Sequence, residues 1–154
     1  LGKAELLLRM GRQQDAIDLY REAVDRWPDS SMSLNALGYT LADRTDQYDE
    51  AAKLIKKALK LDPDSAAIID SYGWVLFRQG EYEKALVELQ RAWEMLKDPE
   101  VASHIVDAQM KLGQDEAALQ TLADAELLFP ESELLQETRE RIFPGTRPET
   151  PSDE

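Results

Sequence analysis

The sequence contains no cysteine and one histidine, His104. That scarcity excludes disulfides, thiolate nucleophiles and thiolate metal ligands, and leaves too few imidazoles for the common zinc sets. Glycine and proline are sparse, at seven each among 154 residues, and no stretch alternates apolar and polar side chains over the length of a strand. Leu, Ala, Glu, Gln, Lys and Arg dominate instead, all good helix formers, so the expected fold class is all-α. Basic charge is short as well. Only 18 Lys and Arg stand against 31 Asp and Glu, a formal charge of −13, which opposes association with nucleic acid or anionic membrane surfaces. No apolar run approaches the ~20 residues of a membrane span, and Leu1-Gly2-Lys3 does not open a signal peptide. None of these absences fixes a compartment.

What the chain does have is a repeat. The stretch DSYGWVLFRQG at 70–80 recurs in pattern at intervals of about 34 residues on either side, the mark of a helical solenoid in which no unit buries its apolar face alone. Aligning glycines, alanines and prolines gives units at about 1–30, 31–65, 66–98 and 99–131, then a closing helix at 132–143 that Ser132 would cap. The array thus spans 1–143. Residues 144–154, PGTRPETPSDE, hold three prolines and nothing apolar, and read as a disordered tail. Projecting the period backwards places about three residues ahead of Leu1, so the chain reads as part of a longer array. Its leading helix would leave Leu6, Leu7 and Met10 poorly covered, inviting self-association.

Within the units, Leu37-Gly38 and Tyr72-Gly73, then Ala51, Ala58, Ala85 and Ala92, and the closing prolines Pro28, Pro63 and Pro130, place small residues where helices would cross closely. This pattern resembles the tetratricopeptide repeat over residues 1–131. The resemblance implies a right-handed solenoid of antiparallel helix pairs with a C-terminal capping helix, non-enzymatic, binding protein or peptide on its concave face. Two departures stand out. Arg44-Thr45-Asp46-Gln47 replaces the glycine-containing turn of the second unit, which should alter that turn and leave helix packing intact, and Val106 stands where earlier units have glycine.

The first helix of each pair should line the concave groove. Its inward positions select Met32, Asn35, Tyr39 and Asp43, then Ala67, Asp70, Trp74, Phe77 and Arg78, then Glu100, Ser103, Asp107, Met110 and Lys111, with His104 adjacent. Asn35, Tyr39, Asp70, Trp74, Phe77, Arg78, Ser103, Asp107 and Met110 form the candidate peptide-binding set. Aromatics and a flexible thioether supply contact area, and Asn and Asp fix register. Trp74 and Phe77 have a second reading as packing between adjoining helices. His104 lacks a Ser, Cys or carboxylate partner at a spacing that fixes catalytic geometry, so a groove or surface histidine is expected. Lys53, Lys56, Lys57 and Lys60 follow i, i+3, i+4, i+7 and make a basic stripe, expected to be a solvated face or a site for an acidic partner. The Lys and Asn carboxylate clamp of co-chaperone members is not reproduced, because Asn35, Tyr39, Ala67 and Ser71 hold its positions.

LNALGYTLADR at 34–44, Tyr48-Asp49-Glu50-Ala51 and DSYGWV at 70–75 are similar to the C-terminal repeats of large tetratricopeptide outer-membrane lipoproteins of Gram-negative bacteria. What that resemblance implies is a periplasmic scaffold anchored by an N-terminal lipid, acting as an adaptor that presents substrates to a carboxyl-terminal processing protease. The alternatives are a cytoplasmic location and a purely structural segment of a larger assembly, with contacts at its ends or convex face.

Overall fold

The computed structural model describes residues 1–150, which form nine helices and no strand. They are α1 (Gly2–Arg9), α2 (Gln13–Arg26), α3 (Ser31–Arg44), α4 (Tyr48–Leu61), α5 (Ala66–Arg78), α6 (Tyr82–Met95), α7 (Pro99–Lys111), α8 (Asp115–Leu128) and α9 (Glu133–Ile142). Successive helices pack in antiparallel pairs. Across pairs, α3, α5, α7 and α9 each pack on the next, whereas the backbones of α2, α4, α6 and α8 stay apart, with α2 reaching α4 through the Arg21 side chain paired with Glu50. The odd-numbered helices are therefore the inner row and the even-numbered ones the outer.

The two kinds of connection are built differently. Entry into α3, α5, α7 and α9 is marked by a side-chain cap: Ser30, Ser65, Asp98 and Ser132 accept from backbone N–H groups of the first turn, satisfying donors that the helix leaves orphaned. Pro99 opens α7, where a missing N–H costs nothing. Entry into the outer helices uses no side-chain cap. Gly11, Gly80 and Gly113 instead close the preceding helix at φ of 74°, 82° and 72°. The left-handed residue turns the next N–H back onto the helix end: Arg12 to Leu7, Glu81 to Leu76 and Gln114 to Gln109, at 2.8–2.9 Å. The second unit has no such glycine. Thr45 takes over, its hydroxyl donating to the Leu41 carbonyl at 2.6 Å and accepting from the Gln47 N–H at 3.1 Å. The turn changes and the pairing of α3 with α4 survives.

Packing explains the small residues. A Cβ on Gly38 would lie 2.7 Å from Ile55 Cγ1, and one on Gly73 2.7 Å from Leu89 Cγ, distances no real methyl tolerates. Ala51, Ala58, Ala85 and Ala92 are fully buried on the facing helices. In the fourth unit α7 carries a buried Val106 at this level, packed with Leu122 and Ala118. The core is a chain of three clusters, spanning α1 to α5, α5 to α7 and α7 to α9. At the leading end Leu6 and Met10 are more than half exposed, as expected, but Leu7 is buried in the first cluster against the expectation, because it points at α2. Residues 144–150 carry no helix or strand and are exposed, while 151–154 of the expected tail lie outside the described residues. Among the described residues no helix is long and apolar enough to cross a membrane.

Candidate functional site

The inner row encloses a groove of about 740 Å³ along the length of α3 and the starts of α5 and α7, bounded at one end by α1. Its floor takes Met32, Asn35 and Ala36 from α3, and Ala67 and Ser71 from α5. Small side chains at the start of α5 leave the room. Met32 is 66% exposed, and Asn35 lies half-buried beneath it. The Asn35 side-chain oxygen is shielded from solvent and has no hydrogen-bond partner among the described residues. A shielded acceptor in that state costs about 1–3 kcal/mol unless something else supplies the donor.

Further along the same helices the inner face is largely filled, leaving a cavity of about 340 Å³ beside Tyr39, Trp74 and His104. Trp74 is only 8% exposed. Its indole stacks on Phe77 at 4.6 Å between centroids and on His104 at 4.1 Å, and its N–H donates to Asp43 at 3.1 Å. Phe77 leans on Tyr82 of α6. The expectation that Asp70, Trp74, Phe77 and Arg78 present free side chains to the groove is corrected on this point. Asp70 is buried and contacts the His104 Nδ1 at 2.9 Å. Arg78 turns to the outer row, donating to the Tyr48 hydroxyl at 3.0 Å with its guanidinium over the Tyr48 ring.

His104 is neither a surface residue nor an open groove residue; it is 5% exposed. Burial pulls its pKa down, but the opposing attraction of Asp70, reinforced by Glu100 and Asp107, leaves it above the usual histidine value. Tyr39 completes the cluster. Its hydroxyl donates to Glu100 and lies 3.4 Å from the His104 Nε2. Burial and then the neighbouring carboxylates, Glu100 first, push the Tyr39 phenol well above its ordinary pKa, so it remains a donor. A protonated imidazole fits this setting: Nδ1–H faces Asp70, Nε2–H faces the phenol oxygen, and the phenol proton goes to Glu100. Three inner helices are thereby joined by one polar chain. It contains an acid, an imidazole and a phenol, with no serine or threonine hydroxyl hydrogen-bonded to the imidazole among the described residues.

At the far end α9 occupies the place of a next inner helix. Ser103 is buried there, paired with the Thr138 hydroxyl at 2.8 Å, and Asp107 accepts two hydrogen bonds from Arg141 at 2.7 and 3.1 Å. Met110 packs on the third core cluster. Ser103 and Asp107 line that second, smaller cavity on the inner face with Tyr39, Trp74 and His104, where α9 engages their polar atoms, while Met110 lies against the C-terminal core. Of the candidate set, then, Asn35 and Tyr39 line the open groove with free or partly free faces, joined by the edge of Asp70. Glu100, at the mouth between the groove and the filled stretch, belongs with them.

Three of the pairings that sequence reasoning missed share one signal. Asp70 and His104 are 34 residues apart, as are Asp107 and Arg141, and Ser103 and Thr138 are separated by 35. One repeat period sets two residues at the same level on adjacent inner helices, which is where these three pairs meet.

A family model described as tetratricopeptide repeat matches residues 1–66, and another of the same description matches 44–105 and 76–142. The chain belongs to the tetratricopeptide repeat family. Over 85 residues it is 53% identical to a TPR repeat-containing protein of Pseudomonas aeruginosa, covering 55% of this chain and 14% of that protein. A TPR repeat-containing protein of Methanocaldococcus jannaschii is 27% identical over 117 residues, 76% of this chain and 20% of the relative. The chain thus spans a fifth or less of the length of these relatives. A thermophilic tetratricopeptide protein of Thermus thermophilus superposes with a TM-score of 0.76 at 23% identity, over 90% of this chain and 75% of that one. One from Parabacteroides merdae gives 0.75 at 20% identity, over 92% and 55%. These likenesses fix the fold, a solenoid of paired helices, and proteins of the tetratricopeptide family generally act as protein-interaction scaffolds.

Proposed function

We propose that this tetratricopeptide array is a non-enzymatic scaffold whose groove at Met32, Asn35, Ala67 and Ser71 holds an extended segment of a partner protein. The observation that carries this reading is the shielded, unpartnered Asn35 amide on an otherwise small and apolar floor. An extended peptide offers one N–H and one C=O per residue, which is what such an amide needs, while side chains such as Met32 adapt to the partner's surface. The finer role follows from the resemblance at 34–44, 48–51 and 70–75. It is an adaptor in the periplasm, part of a longer outer-membrane lipoprotein, that presents substrates to a carboxyl-terminal processing protease.

A photo-crosslinking amino acid placed at Met32 in the groove, or at Val87 on the outer surface of α6, separates this from a purely structural segment. Both sites are about two-thirds exposed, at 66% and 64%. Capture of partner from position 32 and not from 87 supports the groove. Capture from 87 alone assigns contact to the convex face and removes the proposal. Fractionation of cells carrying the tagged parent, followed by co-purification of the protease, tests the adaptor role.

A further inference from the structure

We infer that the segment held in this groove is cationic, an extended peptide with Lys or Arg side chains between small apolar ones. The inference rests on the groove reading above and adds the chemical class of its occupant. Six carboxylates line the groove, Glu5, Asp43, Asp62, Asp70, Asp98 and Glu100, against one guanidinium, Arg44, which is already paired with Asp43. They come from α1, α3, α5, α7 and the connections before α5 and α7, so negative charge surrounds the floor instead of sitting at one edge.

Several of these acids have internal work. Asp70 faces His104, Asp98 caps α7, and Glu100 accepts from Tyr39. Glu5 and Asp62 are exposed and have no side-chain partner among the described residues. The starts of α3, α5 and α7 oppose the carboxylates, each bringing about half a positive charge. Three such ends amount to less than two charges, and the caps Ser30, Ser65 and Asp98 already occupy their N–H groups. The carboxylates prevail. The lysine stripe of this part of the molecule, Lys53, Lys56, Lys57 and Lys60, is exposed on the outer helix α4 and does not line the groove, with Lys57 tied to Asp29 and the Pro28 carbonyl. An anionic segment would meet repulsion throughout the groove, whereas a cationic one gains at each carboxylate it passes, and a low-dielectric floor strengthens the attraction.

The test is an array of random peptides of about ten residues, roughly 33 Å when extended, probed with the labelled chain and with three variants: Asn35→Ala, the double variant Glu5→Gln with Asp62→Asn, and Lys53→Gln with Lys60→Gln. Circular dichroism confirms that each is folded. The expected result is that binders are enriched in Lys and Arg and depleted in Asp and Glu. Asn35→Ala should weaken all of them. The carboxylate double variant should weaken the basic ones about fivefold, with a shallower salt dependence, and the outer-helix variant should change nothing. Binders that are neutral or acidic, yet still lost in Asn35→Ala, overturn the cationic proposal and leave the groove standing. Binders indifferent to Asn35→Ala, or an array with none, overturn the groove reading and this proposal together.

Discussion

The inner face of this solenoid is divided between two stretches of the same helices. Toward the starts of α3, α5 and α7 it is open, small-sided and acidic; half-way along, Tyr39, Trp74, Phe77 and His104 fill it and bind it together. Equivalent repeat positions have therefore been given to opposite ends: one stretch is left with an unpartnered amide oxygen, the other joins Tyr39, His104 and Asp70 across three helices. The difference teaches that facing inward in a tetratricopeptide array does not define a contact residue. The aromatic stretch stiffens the wall, and the groove beside it is held open by that stiffness.

Removing a buried partner should break the comparison most strongly. Asp70→Ala leaves a charged imidazole facing Glu100 and Tyr39 without its main counter-ion, and is expected to cost about 3–5 kcal/mol near pH 6, read as a fall in the urea midpoint. A cost under about 1 kcal/mol would mean that the chain through His104 does not stiffen the wall.

Overpacking comes next. Gly73→Leu drives a side chain into Leu89 and should cost roughly 1–3 kcal/mol or more, while Val106→Ile, at a level where α7 already carries a buried side chain, should cost less by the same urea assay.

The third effect depends on pH. The folded His104 pKa is raised above its ordinary value near 6.5. Above that value the folded state keeps a proton that the unfolded chain has released, so stability falls as pH rises. The contribution is complete below about 6.5 and disappears as pH passes through the folded-state pKa. The difference between the natural chain and His104→Gln, followed by urea titration from acid to alkaline buffer, should shrink along that course. A difference that grows with pH would reverse the assignment.

The smallest effect on stability is expected where function is proposed. Asn35→Ala removes a shielded unpaired amide and installs a better helix former, so stability should stay level or rise by up to about 1 kcal/mol, while capture of peptide drops. A marked loss of stability would show that Asn35 belongs to the filled stretch after all.

The fold was legible in the sequence because repetition makes each structural requirement visible several times. Glycine at Gly38 and Gly73, alanine at Ala51, Ala58, Ala85 and Ala92, and the serine cap Ser132 each follow from local sterics or hydrogen bonding and need no knowledge of partners. The candidate site was legible only as a set of inward positions. Which of them are open depends on the side chains one repeat away: Trp74 is covered because His104 and Phe77 are flat enough to stack on it, and Ser103 because α9 brings Thr138 to it. A position on one helix does not carry that information. The one-period spacing of Asp70 and His104 does, once inner helices are known to pack on their neighbours.

The polar chain through Tyr39, His104 and Asp70 also has a mechanical consequence. A solenoid is a spring, and its compliance is set by how easily neighbouring units rotate past one another. The central units are bolted at the inner rim by this chain and by the stacked rings, whereas the leading pair is tied to the second unit through α2, where Gln13 donates to the Arg44 carbonyl at the end of α3 and Arg21 pairs with Glu50 of α4. Under tension along the solenoid the curvature of the groove is expected to hold for as long as the chain through Tyr39, His104 and Asp70 stays intact.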